Sequence, residues 1–142
     1  MAKITMERCK ALIAAEYPLA DYYGFSVAGL DAGAARVRMP YSPKVLRFGG
    51  TISGPALMAL ADFAMYLAVL TAYDYEDAVR AVTTTMNTSF LRLPGQADIV
   101  AHARIQKPGR RLCFLEVTLH SDGEKDAVVH VTGAYALPPK GR

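Results

Sequence analysis

Apolar residues recur at helical spacing near the start of the chain, where Met6, Cys9, Leu12 and Ile13 fall on one face, Thr5 can cap the run and Pro18 closes it. The pattern predicts a short amphipathic helix over residues 5–17. Val27, Leu30, Val37 and Met39 then stand on either side of a Gly-Leu-Asp-Ala-Gly break, which reads as one broken hairpin or two short strands. Tyr41 to Gly50, with Pro43, Gly49 and Gly50, is loop by composition. The segment Ile52 to Tyr73, ISGPALMALADFAMYLAVLTAY, is different in kind: it is apolar on every face, long enough for about five helical turns, and carries Asp62 as its only charge. It approaches membrane-spanning length. Its many alanines, its central carboxylate, and Asp74, Glu76 and Asp77 where Lys or Arg would flank a span instead predict a helix buried in a soluble core, with no membrane as partner.

From Ala81 to Leu137 the pattern changes to period two, in four runs: Ala81 to Leu91, Ala97 to Lys107, Arg111 to Ser121 and Ala127 to Leu137. Pro94-Gly95, Pro108-Gly109 and Asp122-Gly123 punctuate them, each link short enough to join antiparallel neighbours. The order is helix, strand or strands, long apolar helix, four strands, an α+β class. A helix apolar all round has to be covered all round, and an antiparallel sheet does this by curling about it. Two sheet edges then stay open, so pairing of two copies is expected.

Composition and charge narrow the class of partner. The 142 residues make one domain's length, 52% of them hydrophobic and 20% charged, as in a folding globular chain. A net charge of +3, scattered along the chain, excludes a nucleic-acid arm and suits a small polyanionic ligand. Cys9 and Cys113 lie far apart, with no C-x-x-C and no histidine at ligand spacing, so neither a disulfide framework nor a metal site is expected. Met1 to Lys10 lacks an apolar core segment of a secretory signal, and a cytoplasmic protein is expected.

Candidate chemistry centres on Asp62. A lone carboxylate in an apolar helix is costly unless hydrogen-bonded or open to a cleft, so it is either satisfied at an interface or serves as a base or nucleophile. The loop RFGGTISGPA, Arg47 to Ala56, opens the helix: Ser53 or Gly54 can be the N-cap, and Pro55 falls in the first turn, where its missing N–H does no harm. Such an end caps itself or polarises a bound carbonyl. Gly49 and Gly54 have P-loop spacing, but Pro55 and Ala56 replace the required Lys and Ser or Thr. Ser53 sits in G-T-I-S-G rather than G-x-S-x-G, which argues against a serine triad. His102, His120 and His130 fall inside strands, apart from one another. Lys107, Arg110 and Arg111 gather at a Pro-Gly turn, as a solvated hairpin end or a phosphate clamp.

At GGTISGPALMALADFAMYLA the chain resembles the hotdog-fold thioesterases of the PaaI type, within the 4-hydroxybenzoyl-CoA thioesterase superfamily. VTTTMNTSFLRLPG looks like that family's next strand and KPGRRL like its following hairpin turn. The resemblance implies a sheet wrapped about one helix, subunits paired edge to edge as a dimer or dimer of dimers, and sites at the dimer interface. It implies acyl-coenzyme A as substrate, coenzyme A being part of that substrate, with no separate cofactor. By the same analogy the Gly54 N–H polarises the thioester carbonyl, and Asp62 of the opposite subunit activates water or attacks directly. Thr83 falls where some relatives have a water-positioning Ser, and Arg110 and Arg111 fall near the coenzyme A phosphates. Ser53 replaces the family's His, Pro55 its second Gly, and Arg47 an Asn, so that groups lining the thioester differ. A non-catalytic acyl-CoA or lipid binder is the alternative. A hotdog hydratase would need Asp and His in one catalytic loop, and no His lies in this loop or helix.

Overall fold

The N-terminal helix α1 spans Met6–Glu16, opened by Thr5, whose hydroxyl accepts from the Arg8 N–H at 3.1 Å. Pro18 does more than end it. The proline occupies the first position of a second short helix, α2 (Pro18–Tyr23), where its fixed φ suits the turn and no donor is lost. Gly24, at φ 76, closes that helix in the left-handed conformation. A computed structural model provides these coordinates and describes residues 1–139.

The break after Leu30 separates two strands, β1 (Ser26–Asp31) and β2 (Ala34–Met39), paired antiparallel about Gly33. The predicted loop that follows contains a miniature hairpin, β3 (Leu46–Arg47) against β4 (Thr51–Ile52), whose tip is Phe48–Gly50. From β4 the chain enters the central helix α3 (Gly54–Ala72), and a single turn, α4 (Tyr75–Ala78), leads on to the sheet. Four long strands follow: β5 (Val82–Phe90), β6 (Ile99–Pro108), β7 (Leu112–Ser121) and β8 (Ala127–Ala136).

The main sheet is antiparallel throughout, in the order β1-β2-β6-β7-β8-β5. Helix α3 packs on all six strands, as the hotdog arrangement requires. Val37, Met39, Ala101, Leu115, Val117 and Val131 line the concave face, and Leu60, Phe63, Ala64 and Leu67 of α3 fill it. Although α3 is long and apolar enough to cross a membrane, 67% of its most apolar stretch is buried inside the protein.

Two expectations change. The link through Pro94-Gly95 does not join neighbours: β5 lies beyond β8 at the sheet's edge, and residues 91–98 cross over to β6. The crossing segment is tied to the strand ends it passes, with the Leu91 N–H on the Val128 carbonyl at 2.8 Å and the Gly95 N–H on Ser121 Oγ at 3.0 Å. Nor is α3 covered on every side. Pro55, Met58, Ala59, Asp62 and Tyr66, spaced three or four apart, form a stripe that the chain leaves partly open.

Candidate active site

Asp62 lies on that stripe, half-buried, midway along α3. Two hydroxyls converge on one of its oxygens: Thr83 donates to Oδ1 at 2.7 Å, and Tyr135 donates to the same atom at 2.7 Å. These donors come from neighbouring strands. Thr83 on β5 stands opposite Tyr135 on β8, so both side chains point to the helix. The Tyr135 hydroxyl also lies 3.0 Å from the main-chain carbonyl of Asp62. Among the described residues, no donor reaches Oδ2.

Burial, and then the Asp62 charge, push the Tyr135 phenol far above its ordinary 10.0, so at neutral pH it is a donor and never a phenolate. Tyr17 also lies within the field of the site. Its ring packs 4.8 Å from Phe63 and 6.0 Å from Tyr66, and burial followed by the charge of Asp62 raises its phenol to about 12. Sequence reasoning brought out Asp62 and Thr83 but missed both tyrosines, which look like ordinary core aromatics in a helix end and a strand.

At the start of α3, Ser53 is the N-cap: its extended backbone precedes the helix and its Oγ accepts from the Ala56 N–H at 3.2 Å. Pro55 sits in the first turn and is exposed. The Gly54 N–H, first in the helix, has no acceptor among the described residues and is a free donor at the positive end of the dipole. A side chain at Gly54 would meet the ring of Phe90 at 3.5 Å, so this end of α3 stands beside the far end of β5. Arg47, exposed on β3, belongs to the same end.

The predicted residues thus form three groups along α3. Arg47, Ser53, Gly54 and Pro55 are at its N-terminus, and Asp62 with Thr83 is eight residues on, about 12 Å by helical rise. Arg110 and Arg111 are at the C-terminal end, exposed, on the wall of a cleft of about 540 Å³ shared with Tyr73, Asp77, Pro108 and Leu137. That turn is pinned by the Tyr73 hydroxyl on the Gly109 carbonyl at 2.7 Å and by the Leu137 N–H on the Arg111 carbonyl at 2.8 Å.

The three histidines belong elsewhere. His102, His120 and His130 lie on the sheet, where His130 Nε2 contacts Glu116 Oε2 at 2.8 Å and the other two rings meet edge to face. Among the described residues no three His, Cys, Asp or Glu side chains stand as metal ligands. Cys9 and Cys113 are free and buried, and burial raises both thiols, Cys9 to about 11, which leaves them poor nucleophiles.

A long central helix wrapped by a six-stranded antiparallel sheet defines a hotdog fold. Residues 49–128 match the thioesterase superfamily, and the chain belongs to that family. It is 30% identical over 105 residues to a Thermoplasma volcanium protein named "Putative esterase", covering 74% of this chain and 76% of that one. A Thermoplasma acidophilum protein of the same printed name is 26% identical over 113 residues, covering 80% and 83%. Among solved structures, a "putative thioesterase" from Silicibacter sp. TM1040 superposes with a TM-score of 0.86 at 31% identity, over 98% of this chain and 95% of the other. The thioesterase HI1161 of Haemophilus influenzae has the same fold, with a TM-score of 0.84 at 15% identity over 99% and 94%.

Proposed function

We propose that the protein is an acyl-CoA thioesterase of the PaaI type, releasing coenzyme A and a carboxylic acid, and that Asp62 is its catalytic carboxylate. The observation that carries this reading is the bracing of Asp62 Oδ1 by Thr83 and Tyr135, which leaves Oδ2 with no donor among the described residues, on the open stripe of α3. A carboxylate kept only for stability would have both oxygens satisfied; one held on a single oxygen offers the other for chemistry.

Gly54 and Asp62 of one chain cannot act on one carbonyl, being about 12 Å apart along the helix. Two chains can supply the pair. β5 is an edge strand exposed over most of its length, with Thr83 beside Asp62 near one end and Phe90 beside Gly54 at the other. Antiparallel pairing of two β5 edges about an axis near Met86 and Asn87 sets Thr83 of one chain opposite Phe90 of the second copy. The Gly54 N–H of one subunit then approaches Asp62 of the other, and the same contact covers the open stripe.

In this composite site the Gly54 N–H holds the thioester carbonyl oxygen. As a water attacks the carbonyl carbon, its proton passes to Asp62 and the C=O electron pair moves onto the oxygen facing Gly54. Collapse breaks the C–S bond, and the coenzyme A thiolate leaves with the proton from Asp62. If Asp62 Oδ2 instead bonds the acyl carbon, the C–S bond breaks and the thiolate leaves; water then cleaves the anhydride, which frees the acid and the Asp62 carboxylate and supplies the proton that the thiolate takes. Arg110 and Arg111 are suited to the coenzyme A phosphates, and Arg47 with Ser53 and Pro55 lines the carbonyl end. The protein needs no cofactor on this reading and works in the cytoplasm as a dimer or dimer of dimers, with neither nucleic acid nor membrane as partner.

Asp62→Asn tests the assignment. On a panel of aromatic and aliphatic acyl-CoA thioesters, thiol release by the variant should fall by about two orders of magnitude or more. Full activity in the variant refutes Asp62 as the catalytic carboxylate, and tight acyl-CoA binding without thiol release by the unmodified protein favours a binding module.

A further inference from the structure

Tyr135 belongs to no motif named so far, yet it makes two contacts with Asp62. Its hydroxyl has one hydrogen to give. The 2.7 Å contact to Oδ1 takes it, and the 3.0 Å approach to the Asp62 carbonyl keeps the phenol against the helix backbone. A carboxylate bonded to a group that also touches its own main chain has its side-chain torsion fixed, because swinging away would lose the donor.

The ring is itself immobilised. Tyr135 is 3% exposed and lies 6.2 Å from the Tyr66 ring, nearly parallel to it. Gly133, two residues earlier on the same face of β8, lets Met65 of α3 come so close that a Cβ there would meet its sulfur at 2.9 Å. Helix and strand are therefore locked together one turn from the carboxylate.

We infer that Tyr135 is a positioning residue of the thioesterase reaction: with Thr83 it pins Oδ1 of Asp62, so that Oδ2 alone meets water or the acyl carbon. This rests on the assignment of Asp62 as the catalytic carboxylate and adds to it a division of labour between the two oxygens. Tyr135 touches no reacting atom. It acts by orientation, through a charge-assisted hydrogen bond to Oδ1. The titratable groups facing Asp62 are Tyr135 from β8 and Tyr17 from the α1–α2 junction, both with phenols raised by burial and by the Asp62 charge, so neither loses its proton in the working range.

Tyr135→Phe keeps the ring, its stacking and its burial, and removes only the donor. Steady-state kinetics on the best acyl-CoA substrate should show kcat reduced roughly tenfold to a hundredfold with KM nearly unchanged, the scale of one hydrogen bond to a charged group. Thr83→Val should lower kcat in the same way, again with KM nearly unchanged, and Thr83→Ser, which keeps the hydroxyl, should restore it. A folded Tyr135→Phe with the parent kcat overturns the inference, as does a loss confined to KM. Should that variant fail to fold, an unchanged kcat in Thr83→Val overturns it instead. Asp62→Asn, run alongside, separates the two levels: activity retained there refutes the Asp62 assignment itself, whereas its loss beside an unaltered Tyr135→Phe refutes only the role of Tyr135.

Discussion

Gly133 marks a close approach of α3 to the sheet: a Cβ there would lie 2.8 Å from the Thr85 carbonyl oxygen and 2.9 Å from Met65 Sδ. The backbone oxygen has nowhere to retreat without breaking the ladder between β5 and β8. Gly133→Ala should therefore lower stability by about 1–3 kcal/mol, the range for overpacking a fitted core, and thermal unfolding would measure it. Glu116 is a different sort of residue. Hydrogen bonds from His130 and then Arg104 hold its carboxyl below the usual 4.5. A carboxylate depressed in the folded state adds stability that is present above its unfolded value and lost as pH falls through the folded one. The stability gap between the parent and Glu116→Gln, followed by urea unfolding from neutral pH downward, should accordingly narrow below pH 4.5. At this scale the sequence disclosed Asp62, because one charge among so many apolar residues demands a cause. Tyr135 stayed hidden, since a tyrosine in an alternating strand looks like core until a carboxylate is found beneath its hydroxyl.

Elements explain how those residues come together. The period-two runs fell within two residues of the observed strands, and the apolar helix began one residue past its cap, because burial pattern and capping chemistry act locally. Strand order does not act locally. Pro94-Gly95 marks a turn but cannot say which strand the chain turns toward, and the crossing from β5 to β6 is held by long-range bonds to Ser121 and Val128. That crossing puts β5 at the edge, with Thr83 opposite Tyr135 of β8, as the proposed site requires. The N-terminus of α3 was more legible. Ser53 was one of two candidate caps, and its hydroxyl on the Ala56 N–H settles which. Ser53→Ala should cost about 1 kcal/mol of stability, Ser53→Gly a few tenths and Ser53→Asp almost nothing, an ordering readable from denaturant midpoints. A different ordering would mean that Oγ is not spent on capping.

For the whole molecule, the open stripe on α3 and the exposed edge of β5 adjoin, Thr83 of β5 bonding Asp62 of the stripe. The composite site proposed for it has a consequence that no single-chain site shares. Asp62→Asn removes the carboxylate, and Gly54→Pro removes the N–H with little disturbance. Position 54 opens the helix, where proline is tolerated, and Ser53 already has the extended φ −71, ψ 147 that a following proline favours. Each variant alone should form inactive dimers. Unfolded and refolded together in equal amounts, about half the dimers should be mixed, and each mixed dimer should own one site with Asp62 from one chain and Gly54 from the other. Activity should then return to about a quarter of the parent value, with the second site of each mixed dimer doubly disabled. If both groups acted within one chain, every subunit in the mixture would still lack one of them. The refolded mixture would then stay as inactive as its parts, and the edge-paired arrangement would have to be abandoned.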